Sequence, residues 1–474
     1  LLSVKHYSLF SVKKEHSSLI KEQIMAKQRF ITDFTQGSVP KQLLRFATPL
    51  LLANLLQVVY NMADMVIVGQ VMGSVGLSAV SIGGDVSSFL TFVAMGFSSA
   101  GQVLVARDVG AGRMENVKHT IGTMFTFLLG TSLVISFGCF FIRHHILHWL
   151  NTPAESYAFT MDYTVTCIVG LFFVYGYNIV SAILRGMGDS RRPFLFIAIA
   201  ASLNIVLDIV FVAVCGMEVF GAALATIISQ AGSFIVSLIY LYRRKESFGF
   251  DFKLKSFRIK SEALKPLLAL GIPMAIQSAA INLSKIVLMS WINLFGVVYS
   301  ALAGVYNKIN MMIGIVSNSF TAAGSTMVGQ NLGAKQYERV PKILRTVGFC
   351  TILISTVFAF VMVGFQDSIY RMFTSDEVVV SNAYILLIPI ILNFYGAATR
   401  SIAFSLINGS GNTKLNYAVA VLDGIISRIG IAALLGFVVK MGCQGFWYGD
   451  ALAGFIPIVI GMCYYFWGNW KKVK

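Results

Sequence analysis

Charge is what this sequence has least of. Only 12% of its 474 residues are Asp, Glu, Lys or Arg, about half of what soluble domains carry. With 56% hydrophobic residues and a mean hydropathy of +0.75, so apolar a chain has only lipid in which to hide its surface. Other absences narrow the reading further. The six cysteines (Cys139, Cys167, Cys215, Cys350, Cys443 and Cys463) form no CxxC or Cys/His spacing. They read as small lipid- or bundle-facing residues, neither disulfide-bonded nor metal-binding. No GxxxxGK[ST] phosphate loop, HExxH or GxSxG is present. Walker-type ATP binding, zincin chemistry and serine-hydrolase chemistry are therefore excluded, and the chain reads as a non-enzyme without a cofactor.

The formal charge of +16 raises the question of nucleic acid. The basic residues fall in short gaps between apolar runs, not along a polar stripe, which argues against it. Crossing ~30 Å of hydrocarbon takes about 20 helical residues, and runs of that length recur. Spans are predicted at 43–69, 79–105, 118–142, 159–184, 193–215 and 220–242, then at 264–295, 298–327, 341–364, 380–407, 415–439 and 443–467. The expected fold is an all-α membrane protein of twelve transmembrane helices.

The basic residues also predict orientation. Turns bearing Arg107/Arg113/Lys118, Arg185/Arg191/Arg192, Lys335/Arg339/Lys342 and Lys414 alternate with turns at 70–78 and 295–298 that hold no Lys or Arg. With Lys471, Lys472 and Lys474 at the end, both termini are expected in the cytoplasm, the protein being multi-pass in the membrane. Residues 1–24 contain no methionine, and Met25 is the expected native start. The first long apolar run lacks a small-residue cleavage site and reads as a span, not a secretory signal. The expected organisation is a cytoplasmic segment at 1–42, a six-helix lobe at 43–242, a basic cytoplasmic linker at 243–263, a second six-helix lobe at 264–467 and a cytoplasmic tail at 468–474. The lipid bilayer is the expected partner, and the expected state is a monomer.

The two halves repeat each other. Gly110-Ala111 in VGAGRMENV lies over Gly333-Ala334 in LGAKQYERV at an offset of 223, and Leu184–Arg191 lies over Ile407–Lys414 at the same offset. Pro49 and Pro273 differ by 224. One register held at separate places marks a true duplication. Six spans per copy is even, so the copies are parallel and pseudo-symmetric about the membrane normal, with a cavity between lobes.

A charged residue at mid-span costs roughly 2.5–3.5 kcal/mol and asks for a reason. Asp64 follows Tyr60 by four residues in the first span, and Asp208 follows Asn204 by four in the fifth, so each pair shares a helical face. Two carboxylates flanked by amide and phenol oxygens suit a proton or a hard cation such as Na⁺. Burial favours the protonated acid and bound Na⁺ the ionised one, so a single pocket can exchange the two. The alternative is that both acids only hold neighbouring helices together. Carried through the repeat, Asn204, Asp208 and Asp64 map to Ser427, Ile431 and Leu288. The acids are not duplicated, which favours a function confined to the first lobe.

Asp85 and Lys308 are equivalent positions, 223 apart. They either face each other across the cavity and bias its charge, or pair each within its own lobe. Asp423 and Arg428 share the eleventh span but stand five apart, a poor α-helical pairing distance; they are structural or line the substrate cavity. Lys285, Arg400, Asp162 and Asp450 carry no assignment. His144, His145 and His148 can be read as a chelating pair or, better, as an interfacial anchor beside Arg143 and Trp149.

The stretch FTQGSVPKQLLRFATPLLLANLLQVVYNMADMVIVG, the paired Gly-Ala loops, and LRGMGDSRRP with its partner NGSGNTK resemble the multidrug and toxic compound extrusion (MATE) family, bacterial type, which implies a place in the bacterial inner membrane. The resemblance covers residues 32–468. It implies a V-shaped pair of six-helix bundles that exchanges Na⁺ or H⁺ for organic, often cationic and amphipathic, compounds. It also implies a coupling site of Asp64, Asn204, Asp208 and Thr226. Some relatives use a glutamate in the seventh helix; the span 264–295 holds no acid. Rival readings are a flippase for lipid-linked intermediates on the same scaffold, or a channel or receptor.

Overall fold

The computed structural model describes residues 31–472, among which helices are joined by short turns and no strand occurs. Met25, the expected start, and Lys474 lie outside the described residues.

The first helical element, α1, runs Val39–Gly110, with a proline in its first turn, and breaks at Gly73 (φ 63°, ψ −147°), a backbone region essentially reserved for glycine. A Cβ on Gly76 would stand 2.8 Å from Val68 Cγ1. Eight residues of unbroken helix separate Cα atoms by about 12 Å, so the chain doubles back here and α1 contributes two spans. The sequence predicts a nine-residue turn at 70–78; the structure replaces it by a single glycine hinge between two helical limbs. Nine further helices are long and apolar enough to cross a membrane: α2 (Met114–Trp149), α3 (Tyr157–Gly186), α4 (Arg191–Val214), α5 (Glu218–Arg243), α6 (Ser261–Asn293) and, after one more helix, α8 (Arg339–Arg371), α9 (Glu377–Ser410), α10 (Thr413–Val438) and α11 (Cys443–Trp467). Helix α7 (Val297–Gly333) spans 37 residues. Its length suffices for a crossing, and its buried Ser319, Ser325, Thr326, Gln330 and Asn331 explain its lower hydropathy: it packs between lobes, away from lipid. Eleven elements, the first doubled, make twelve spans.

The lobes are interleaved at the face that carries both ends of the described chain. Leu43, Phe46 and Leu50 at the start of α1 belong to the core formed by α7, α8 and α9, while Leu267, Leu270 and Met274 of α6 belong to the core of the first lobe. Each preceding segment crosses over as well. Phe34 is 1% exposed and packs 5.0 Å from Phe46. Its N–H donates to Gln330 Oε1 (3.0 Å) and its carbonyl accepts from Asn331 Nδ2 (3.1 Å). The Arg339 guanidinium donates to the carbonyls of Phe34, Gln36 and Gly37. Phe257, 223 positions later, packs among Phe125 and Phe250 of the opposite side, and its carbonyl accepts from Thr126. These are two reciprocal straps, one under each lobe.

Between the lobes, Gln102 Nε2 donates to Thr326 Oγ1 (2.7 Å) and Asn54 Nδ2 donates to Ser319 Oγ (3.0 Å), while within the first lobe Arg185 Nε holds Gln102 by donating to its Oε1 (2.9 Å). Both inter-lobe contacts fall in the half of the membrane nearer the straps.

Candidate functional site

The first limb of α1 carries Tyr60 and Asp64, α4 carries Asn204 and Asp208, and α5 carries Thr226 and Gln230. The i,i+4 spacing turns each pair onto one face, and packing of the three helices brings the faces together. Asp64, Asn204 and Asp208 are 3%, 2% and 0% exposed. Thr226 Oγ1 lies 3.4 Å from both Asp64 Oδ2 and Asn204 Nδ2, and also donates to its own helix at Ala222 O (3.1 Å). Gln230 Nε2 donates to the Tyr60 hydroxyl at 3.4 Å. The Asp64 and Asp208 carboxyls lie close enough to act on each other electrostatically. Directly after Asp208 the helix widens into π geometry over Ile209–Val214, a device that recurs at functional sites.

What marks this cluster is the shortage of donors. Asp64 Oδ1, Asn204 Oδ1 and both Asp208 oxygens are buried without a hydrogen-bond partner. Bringing two ionised carboxylates out of water costs several kcal/mol per ion unless charge is returned to them. Hard oxygen donors with two negative charges fit Na⁺, and two facing carboxyls fit a shared proton. The geometry thus brings together all five residues singled out for cation coupling: Tyr60, Asp64, Asn204, Asp208 and Thr226.

Of the cavity candidates, Asp85 and Lys308 are both exposed and neither makes an ion pair among the described residues. They act on each other coulombically across a gap, so pairing within one lobe is not what the structure contains. Asp423 and Arg428 need correction. They are 0% and 3% exposed and line no open cavity, and they do pair, Arg428 Nη2 lying 3.5 Å from Asp423 Oδ1. The physical reason is that α10 is π-helical over Leu422–Ser427. An i→i+5 turn brings together residues that an α-helix would hold apart.

This pair belongs to a larger cluster in the second lobe that sequence reasoning left unassigned. Arg400 Nη2 bonds Asp423 Oδ1 at 2.8 Å, and Arg428 also pairs with Asp450 Oδ1. Asp450 Oδ2 accepts from Tyr306 OH (3.1 Å) and Asn393 Nδ2 (3.2 Å). Lys285 is within coulombic range of Asp450, Arg428 and Arg400. One signal was available: at the 224 offset, Thr226 maps onto Asp450 and Asp64 onto Leu288, so the cluster occupies the symmetry-related place of the first-lobe site. The histidines are simpler. His144 Nδ1 lies 3.0 Å from the Tyr157 hydroxyl and His145 packs on Trp149, as an anchoring role requires.

Comparison with known proteins agrees with this architecture. The MatE family profile matches twice, over residues 49–210 and 273–434, copies of equal length again offset by 224. Two relatives from Bacillus subtilis (strain 168) are "Probable multidrug resistance protein YoeA", 27% identical over 92% of this chain and 96% of its own, and "Probable multidrug resistance protein YpnP", 28% identical over 93% and 98%. A solved structure described as the outward-facing conformation of a multidrug resistance MATE family transporter superposes with a TM-score of 0.84. It is 20% identical and covers 91% of this chain and 96% of that one. A duplicated profile spanning most of the chain, on a twelve-helix membrane fold, establishes that the protein belongs to the MATE family.

Proposed function

We propose that this protein is a cation-coupled antiporter that exports organic, amphipathic and often cationic compounds by alternating access, with Na⁺ or H⁺ as the coupling ion. The observation that carries the proposal is the set of four partnerless oxygens on Asp64, Asn204 and Asp208, buried between three helices of one lobe. Cation binding there neutralises the site and draws the first limb of α1 towards α4 and α5. Cation release leaves two charges that repel, which favours a different packing of the same helices. Because α1 begins under the opposite lobe, its movement is transmitted to the lobe interface. The contacts between lobes gather on the termini face, which supports an arrangement closed there and open opposite. Asp85 and Lys308, exposed and mutually within electrostatic reach, would then set the charge of the cargo path. The basic turns support an inner-membrane orientation with both termini cytoplasmic, and a single copy holds the whole coupling site, which supports a monomer.

The test is dye efflux from reconstituted vesicles with ΔpH and ΔNa⁺ imposed separately, for wild type, Asp64→Asn and Asp208→Asn. Gradient-driven efflux should be lost in both variants. Undiminished efflux in both removes the coupling site, and a linear, non-saturating flux marks a channel instead.

A further inference from the structure

The groove that a strap fills under the second lobe is open under the first. In the second lobe, Gln330 bonds the N–H of Phe34 and the carbonyl of Thr32, and Asn331 bonds the carbonyl of Phe34. Arg339 adds the carbonyls of Phe34, Gln36 and Gly37. The equivalent positions in the first lobe, 223 earlier, are Arg107, Asp108 and Asn116. The strap of that lobe makes no hydrogen bond with them among the described residues. It lies along α2 further on, where Thr123 Oγ1 accepts from the Lys260 N–H (3.1 Å) and Thr126 bonds the Phe257 carbonyl. Arg107, Asp108 and Asn116 instead line a cavity of about 220 Å³ between the end of α1 and the starts of α2 and α6, many times the room one water needs.

Most of the charge around this space is already matched. Arg113 holds Asp108 through Nε and Nη2 at 2.9 and 2.8 Å, and His119 Nε2 stands 3.6 Å from Glu115. Two groups of opposite sign are not matched. Arg107 makes no ion pair or hydrogen bond among the described residues; its Nε is buried without a partner, whereas Nη1 and Nη2 are not shut off. Glu262, in the first turn of α6, lines the same cavity, is exposed, and is likewise unpaired among the described residues. Asn116 and Thr120 add neutral hydrogen-bonding groups to the walls.

A free guanidinium and a free carboxylate around one space ask for a ligand that carries both charges. The planar fork of Arg107 suits two oxygens of a phosphate, and a primary ammonium offers Glu262 three N–H donors. The cavity lies at the ends of three membrane-crossing helices on the termini face, where pockets meet lipid head groups. We propose that it binds a phosphoethanolamine diester, either as the head of a membrane lipid or as a soluble glycerophosphodiester. Arg107 takes the phosphate, Glu262 the ammonium, and Asn116 and Thr120 the remaining polar atoms. The bound diester then does under the first lobe what the Phe34 strap does under the second: it fills the groove at the end of the long central helix. Binding here is read at equilibrium without any gradient, so its failure and the failure of cation coupling are distinguishable.

The experiment is equilibrium binding of radiolabelled glycerophosphoethanolamine to the purified, delipidated full-length protein. Glycerophosphoglycerol, the same diester without an ammonium, is the matched probe. Wild type should prefer glycerophosphoethanolamine by about fivefold, the upper value of an exposed ion pair. Glu262→Gln, at an exposed position that folding tolerates, should erase that preference. Arg107→Gln, which copies the second lobe at this place, should weaken both diesters by about tenfold or more, the value of a charged hydrogen bond. Arg107→Lys should recover part of the loss. Dihexanoyl phosphatidylethanolamine separates the two sources. Displacing the label more tightly than the free diester does assigns the site to a membrane lipid, and failing to displace it assigns the site to the soluble compound. Equal binding of the two diesters to wild type, a preference that survives Glu262→Gln, or undiminished binding to Arg107→Gln overturns the proposal.

Discussion

Gly110 and Gly333 face each other's helices through one reciprocal contact. A Cβ on Gly110 would overlap the carbonyl oxygen of Gln330, and a Cβ on Gly333 would overlap the carbonyl oxygen of Arg107. Since 107 and 330, like 110 and 333, differ by 223, the pseudo-two-fold axis passes between them. The ends of α1 and α7 are in backbone contact there, which only residues without side chains permit.

Adding bulk at this crossing should prise the lobes apart on the termini face. Overpacking typically costs about 1–3 kcal/mol, so Gly110→Val and Gly333→Val should each lower the melting temperature. Each should also raise the labelling rate of a cysteine placed at Thr326, which is buried at the interface. Unchanged labelling in both variants would show that the crossing does not hold this face closed.

The strap under the second lobe depends on Arg339, whose fork reaches the carbonyls of Phe34, Gln36 and Gly37. Arg339→Ala should cost roughly 1–3 kcal/mol by leaving those acceptors unmatched and should speed proteolysis around residues 35–37. Arg339→Lys should fall between the two, because an ammonium lacks the planar fork. Limited proteolysis in detergent reads both.

Removing Arg428 alone takes from buried Asp450 the ion pair it makes and from Asp423 one of its two. Breaking such a pair costs about 3–5 kcal/mol, while replacing both partners by apolar residues costs far less. Arg428→Met should therefore be poorly folded, and Arg428→Met with Asp450→Leu should recover much of the loss. Thermal melts of the purified variants decide it.

Thr226 is the hydroxyl that reaches both Asp64 and Asn204, each at 3.4 Å. These contacts are long, so Thr226→Val should reduce gradient-driven efflux by about tenfold or less, the value of a neutral hydrogen bond. Asp208→Asn should abolish it. Equal losses in the two variants would mean that Thr226 contributes as much as the acid.

Much of this molecule was legible in one dimension. Apolar runs located the spans because the hydrocarbon core demands them. The shared register of the Gly-Ala turns revealed the duplication, and i,i+4 spacing put Tyr60 with Asp64 and Asn204 with Asp208 because α-helical periodicity is local. What failed did so where geometry ceased to be local or regular. Asp423 and Arg428 looked mismatched because a 3.6-residue period was assumed where α10 is π-helical. Lys285, Arg400 and Asp450 carried no pattern because they come from three helices whose approach only the folded lobe defines. The strap residues Phe34 and Phe257 look alike in sequence, yet which lobe each one serves depends on the crossing of α1 and α6. The sequence by itself determined helices, repeat and the acids of the first lobe, each written in spacings of a few residues. Only the tertiary structure decided which charges meet, because burial and pairing are set by distances between helices.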